Sequence, residues 1–346
     1  MKPSLDDLKR ITEKMLAEES SYLDLRNACG SLLDFFYQVS EFDDTDPVNG
    51  QHMQSQAGQA VSPEAAAVCI RDFMRTCVFL RGIKEAISTK LQSNPDMAVT
   101  VLYAGTGPFA TLLIPLVTLF SPAQLNMLLL DINPASIAYL SRIIRNFNLE
   151  PYILQVVETD AVTYRIPVQW KPDIILSETM MPSLKTEPQV SIVANLVGQC
   201  PQVLLVPEMI EVSAVLYNNK QTAGKRFINL ETLLVFTKEA ALKMAAEQQT
   251  GDTVFPVTIL EVQKPAEPGY SRLALLTRIR VFNEHFLNYS ESSLTIPVFV
   301  YNMHSIKTWP AVLNIQYRIF PIPGFTISKD GLTLFEVKKK EIPIIN

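Results

Sequence analysis

Cysteine and histidine are too scarce in this chain to build a metal centre or a disulfide framework. The four cysteines (Cys29, Cys69, Cys77, Cys200) form no CxxC pair and the three histidines are scattered. A bound metal is therefore not expected, and a reducing cytoplasm is the default location. Long apolar runs are missing too: nothing approaches the roughly 18 residues of a membrane span. The opening "MKPSLDDLKRITEKML" has the pattern of a charged amphipathic helix, without the apolar centre of a secretory leader. Positive charge is in short supply, with 30 Lys+Arg against 35 Asp+Glu and a net charge of −5. That balance argues against a nucleic-acid backbone as partner and fits a small cationic substrate. None of the 12 glycines belongs to a GxGxxG or a Gly-Lys-Ser/Thr motif, so dinucleotide and P-loop sites are excluded.

What remains is a chain of 346 residues, 48% hydrophobic and 19% charged, long enough for two or three lobes around a substantial core. Residues 1–95 read as a helical N-terminal cap. "SLDDLKRITEKMLAEE" and "YLDLRNACGSLLDFFYQVSEF" carry apolar residues at three- and four-residue spacing. A polar, glycine-bearing linker follows. Ser62-Pro63-Glu64 then starts a helix expected to run through "AAAVCIRDFMRTCVFLRGIKEAISTKL". Residues 96–206 alternate short apolar strands ("AVTVLY", "LNMLLLD", "YILQVVETD", "PDIILSE", "QVLLVPE") with helical segments such as "NPASIAYLSRIIRNFN". This is the pattern of an α/β, Rossmann-like parallel sheet covered on both faces. Residues 207–346 switch to alternating runs, predicting a β-rich C-terminal domain interrupted by one helix, "TKEAALKMAAEQQ".

The chemistry concentrates in the middle region. The first strand runs into "YAGTGPFA", where Gly105 and Gly107 allow backbone to approach a ligand at the start of a helix. The second strand ends in Asp131, where doubly wound folds place an acid that accepts hydrogen bonds from ribose; the plainer reading is a strand-end cap. The third ends in "ETDA", putting Asp160 and the Ala161 backbone where an adenine ring is read. The fourth ends in "SETMMPSLKTE", with Glu178 and Glu187 nine positions apart.

The glycine turn and the two strand-end acids resemble class I S-adenosylmethionine-dependent methyltransferases over residues 97–206. "SETMMPSLKTE" further resembles the double-glutamate loop of protein arginine methyltransferases, matched by Glu178, Met180 and Glu187. "RDFMRTCVFLRGI" resembles that family's helix before the fold, matched by Asp72, Arg75 and Thr76. The resemblance implies S-adenosyl-L-methionine as cofactor, held by Arg75 (carboxylate), the turn Gly105-Thr106-Gly107, Asp131 and Ile132 (ribose), Asp160 and Ala161 (adenine) and Ser177. It implies catalysis by Glu178 and Glu187, with Met180 and Trp309 toward the substrate. It also implies a barrel-like C-terminal domain and a homodimer formed through a helical arm, for which "TKEAALKMAAEQQ" is the candidate.

The two acids make sense for this chemistry. A guanidinium is planar, permanently charged and forked, and carboxylates match it bidentately. Setting it beside a sulfonium methyl donor brings two cations together, which costs free energy unless negative charge surrounds them. The plainer readings are that Glu187 stabilises the start of the helix "EPQVSIVANL", and that Arg75 is a surface charge paired with Asp72. The chain departs from the family in three places. The tyrosine-rich segment before Arg75 is replaced by "GQHMQSQAGQAVSP". Ala104 and Pro108 alter the glycine loop, and His304 and Trp309 stand in the wrong order for a Thr-His-Trp loop. The reading is an N-methyltransferase of arginine or a related guanidino or amino metabolite. Protein arginine is the alternative acceptor, and a non-catalytic cofactor-binding scaffold is the alternative of another class.

Overall fold

A computed structural model describes residues 3–248 and 255–337. Gln249, the last residue of the anticipated inserted helix, and positions 338–346 of the β-rich region lie outside them. Helices α1 (Leu5–Leu16) and α2 (Tyr22–Ser40) each begin at a serine whose hydroxyl accepts from the backbone three residues on, while an aspartate there accepts from the serine N–H. These reciprocal caps satisfy donors that a helix start leaves open. The stretch expected as a linker instead forms a 3-10 turn (Pro47–Gly50) and a ribbon, β1 (Met53–Ser55) paired antiparallel with β2 (Gly58–Ala60). Strands of three residues are too short to show alternation.

The long helix expected after Pro63 is broken. α3 (Pro63–Val68) passes through a 3-10 turn into α4 (Phe73–Ser93). Asp72 restarts it: one carboxylate oxygen accepts from the Arg75 N–H at 3.2 Å. The other accepts from Ser292 Oγ, Ser293 N and Ser293 Oγ at 2.8, 2.7 and 2.6 Å. A single aspartate thus caps α4 and ties it to the C-terminal lobe.

Five parallel strands follow: β3 (Val99–Ala104), β4 (Leu125–Asp131), β5 (Ile153–Glu158), β6 (Ile174–Ser177) and β7 (Leu204–Val206). Their order is β5-β4-β3-β6-β7, with α5 (Pro134–Asn146) and α6 (Gln189–Gln199) among the covering helices. The strands are apolar throughout because both faces are covered: Val101, Leu102, Leu128, Leu129, Ile174 and Ile175 are all fully buried. β4 and β6 flank β3 on opposite sides, so the winding reverses there, and the crevice beyond the carboxyl ends is where such sheets take ligands. One expectation fails. No α-helix follows the glycine turn; residues 107–113 form turns and Ile114–Thr118 a 3-10 helix. Ala110 takes a positive φ of 44° and Pro115 removes a backbone donor, which together prevent a regular helix.

The remainder is two antiparallel sheets. One contains β8 (Met209–Tyr217), β9 (Phe227–Thr237), β11 (Arg272–Phe282), β12 (His285–Leu287) and β13 (Val298–Asn302). The other contains β10 (Thr258–Val262), β14 (Ala311–Arg318), β15 (Gly324–Lys329) and β16 (Leu332–Glu336). The inserted helix α7 (Lys238–Gln248) lies against α6, burying Ala241 and Met244. A methyl group on Gly198 would come within 2.7 Å of the Ala245 Cβ, so glycine permits this close approach. The candidate arm is therefore docked on its own parallel-sheet domain. Among the described residues no helix is long and apolar enough to cross a membrane.

Replacing Asp72 by alanine removes the helix cap and three inter-lobe hydrogen bonds together. A cap alone is worth about 1 kcal/mol, so urea denaturation should show a loss of at least ~2 kcal/mol. A loss below ~0.5 kcal/mol would contradict this role.

Candidate functional site

The carboxyl ends of β3, β4, β5 and β6 open into a cavity of about 400 Å³. Its floor is the glycine turn. Gly105 and Gly107 have φ of +79° and +60°, and a Cβ on Gly105 would lie 2.2 Å from Thr179 Cγ2. Only glycine is accommodated at that point. Thr106 and Ile132 also line the cavity, as does Asp131, which is 7% exposed. The Asp131 carboxylate accepts from Gly107 N at 2.7 Å and from Asn133 N at 2.8 Å. Burial nevertheless raises its pKa to about 6, against the pull of those hydrogen bonds.

Asp160 and Ala161 line the next stretch of wall. One Asp160 oxygen is taken by the ribbon, accepting from Ser55 Oγ and Gln56 N at 2.9 Å each. The other accepts from Val162 N at 3.0 Å. The carboxylate that sequence reading reserved for adenine is thus also the tether that folds β1–β2 over the crevice, which brings Ser55, Ala60 and Val61 into the lining.

The opposite wall carries the charges. Arg75 pairs directly with Glu178 Oε2, the two side chains being 15% and 2% exposed. Glu178 Oε1 is buried and, among the described residues, accepts no hydrogen bond. Glu187 shares the cavity at 8% exposure. Burial lifts its carboxyl to about 7, with the Arg75 charge pulling the other way. It is no first-turn acid: α6 starts two residues later at Gln189.

The segment between the two glutamates is held from several sides. Gln189 Oε1 accepts from Thr179 N and Oγ1 at 2.9 and 2.8 Å, and its Nε2 donates to Ser177 O at 2.9 Å. Ser183 N donates to Thr277 Oγ1 at 2.8 Å, the Tyr317 hydroxyl to Leu184 O at 2.9 Å and Thr186 N to Pro323 O at 2.9 Å. The loop is a fitted part rather than a free connection.

Most sequence candidates are brought together here, Met180 included. Two are not. Ser177 is fully buried behind the wall, its hydroxyl committed to Gln189 and Thr179. Trp309 is packed against the core away from the cavity, and His304 is exposed. The C-terminal lobe instead supplies Ser293, Leu294 and Ile296, delivered by the Asp72 hydrogen bonds. Sequence reading also missed Tyr103, Cys69, Thr179 and Lys185, all in the lining, and the brace Gln189. Lys185 alone had left a signal, as the cation between the two acids.

A parallel sheet wound 3-2-1-4-5 in its own strand order, with a glycine turn after its first strand, an acid closing its second and an antiparallel β lobe behind it, is a doubly wound, Rossmann-like fold with an appended β domain. Among solved structures the chain is similar to the PRMT1 enzyme–prozyme heterotetrameric complex of Trypanosoma brucei with AdoHcy. The TM-score is 0.52 at 13% identity, over 78% of this chain and 92% of that one. It is also similar to PRMT6–SAH (TM-score 0.49, 9% identity, 77% and 99% covered) and to Arabidopsis thaliana Protein Arginine Methyltransferase 10 (0.47, 10%, 78% and 94%). No protein-family model and no curated protein sequence matches the chain. The first of these likenesses establishes that it has the fold of the arginine methyltransferases.

Glu187 has a consequence for stability. Its folded pKa of about 7 exceeds its unfolded value of 4.5, so between those pH values the folded chain holds the proton that the unfolded chain has lost. Stability is then highest below about pH 4.5 on this group's account and declines as pH rises through 7, by about 3 kcal/mol if the group acts alone. The variant E187Q should therefore gain melting temperature over wild type at pH 8 but little at pH 5. A difference that does not change with pH would contradict the assignment.

Proposed function

We propose that this protein is an S-adenosylmethionine-dependent N-methyltransferase whose acceptor is the guanidino or amino group of a small cationic metabolite, arginine being favoured. One observation carries the reading. Two buried carboxylates face one cavity, and one of them already holds a guanidinium, that of Arg75, on one oxygen while its second oxygen is unsatisfied. The opposite floor fits the cofactor: a turn bare of side chains at Gly105, a buried acid at Asp131 for ribose hydroxyls, and Asp160 with the Ala161 backbone near the adenine position. Arg75, which lines the same cavity, would hold the cofactor's carboxylate.

When bound, S-adenosylmethionine supplies an electrophilic methyl group on a sulfonium. Glu178 and Glu187 receive the acceptor's N–H donors, which fixes the direction of one nitrogen and offsets the repulsion between two cations. Glu187, titrating near neutrality, takes the proton the nitrogen gives up. The ribbon tied to Asp160 and the Ser293–Ile296 segment tied to Asp72 close the cavity from two sides. That enclosure, together with the lack of any tyrosine in the stretch 50–63 before Arg75, suits a small acceptor better than a protein tail.

Glu178→Gln keeps the shape of the clamp and removes its charge. Calorimetry with S-adenosylhomocysteine should show affinity within a few-fold of wild type, while methyl transfer falls at least about 100-fold, roughly 2.7 kcal/mol of transition-state stabilisation. Unchanged turnover in a folded variant would sink the role of Glu178.

A further inference from the structure

Tyr103 stands two positions before Gly105 in β3, paired with Leu129 of β4 on one side and Leu176 of β6 on the other. Its backbone is thus fixed from both sides at the place where the winding reverses. The side chain is 3% exposed, and among the described residues it is the one aromatic in the cavity lining. Its hydroxyl makes no hydrogen bond to any described residue. Unlike the Tyr164 hydroxyl, which is sealed in without a partner, the Tyr103 oxygen keeps some accessible surface, and the space beside it is the cavity. A phenol so enclosed gives up water and gains nothing in return, a cost that phenylalanine would avoid at nearly the same volume.

The surroundings say what the hydroxyl can meet. Burial raises the pKa of the phenol, which therefore keeps its proton and remains a donor. Of the charges that act on it, Arg75 comes first and Asp131 second. Those two groups mark the carboxylate end and the ribose of the cofactor in the reading above, so a cofactor stretched between them passes Tyr103 with its amino-acid chain. Beside a guanidinium, a hydroxyl turns its oxygen to the cation and its proton to the anion that the cation attracts. Arg75 need not leave Glu178 for this, since a guanidinium offers more N–H donors than one carboxylate oxygen uses. A neutral donor also suits the place: another cation would oppose the sulfonium and the incoming acceptor alike.

Resting on the methyltransferase reading, we propose that Tyr103 is a further cofactor-binding residue, whose hydroxyl donates a hydrogen bond to the carboxylate of S-adenosylmethionine beside Arg75.

Tyr103→Phe removes one oxygen and keeps the ring, and two measurements on the full chain test the assignment. Without ligand, the variant should melt at or above the temperature of wild type, because an unpartnered hydroxyl has gone. Calorimetry then compares S-adenosylhomocysteine with its decarboxylated analogue, which keeps the amine, and with methylthioadenosine, which lacks the amino-acid chain. The variant should bind S-adenosylhomocysteine at least about tenfold more weakly than wild type, as expected for a hydrogen bond to a charged group, and the other two within about twofold. Unchanged affinity for S-adenosylhomocysteine, or an equal loss for all three ligands, overturns the role of Tyr103 and leaves the methyltransferase reading standing. So does a ligand-free variant that melts well below wild type, which marks a structural hydroxyl. Failure of wild type to bind S-adenosylhomocysteine at all overturns both.

Discussion

Two carboxylates and a guanidinium, all three largely buried, line one cavity, and much of the surrounding structure can be understood as making that arrangement tolerable. Glu178 is almost fully enclosed and Arg75 nearly so. Isolated, either charge would be expensive to bury; paired, the desolvation is only partly returned. The second oxygen of Glu178 and the high pKa of Glu187 are the two places where the balance stays open. Under the proposed function, a cationic acceptor would settle both.

Holding such a site needs connections from outside the parallel sheet. Asp72 joins the start of α4, and therefore Arg75, to the C-terminal lobe. Asp160 fastens the ribbon, while Gln189 braces the root of the double-glutamate loop, and Thr277, Tyr317 and Pro323 hold its tip. Cap, sheet and β lobe each contribute to the same few ångströms. The lobes are adjacent in sequence but the site is distributed among them, consistent with one apolar core extending through all three.

The sheet was legible in the sequence because its strands are continuous apolar runs ending in Gly105, Asp131, Asp160 and Glu178, and strand ends are where a doubly wound fold keeps its ligands. That Glu178 and Glu187 would meet at one cavity was legible because the two acids sit at a telling distance from each other in the chain. What stayed hidden depends on contacts distant in the chain. Nothing local announces that Asp72 breaks a helix for the sake of Ser292 and Ser293, or that a three-residue ribbon lies inside a polar linker. His304 and Trp309 attracted notice as residue types, yet the lobe presents Ser293, Leu294 and Ile296 to the cavity. The docking of α7 on α6 turns on Gly198 and Ala245, two small residues whose fit only three dimensions reveal.

In the proposed function Glu178 and Glu187 hold a small guanidine for methylation. That role is tested most directly by incubating the full chain with S-adenosylmethionine labelled at its methyl group and free L-arginine, then locating the label by mass spectrometry. Label on a guanidino nitrogen of arginine is the expected result. A chain that binds the cofactor, yet leaves arginine and related guanidines and amines unlabelled, would contradict it.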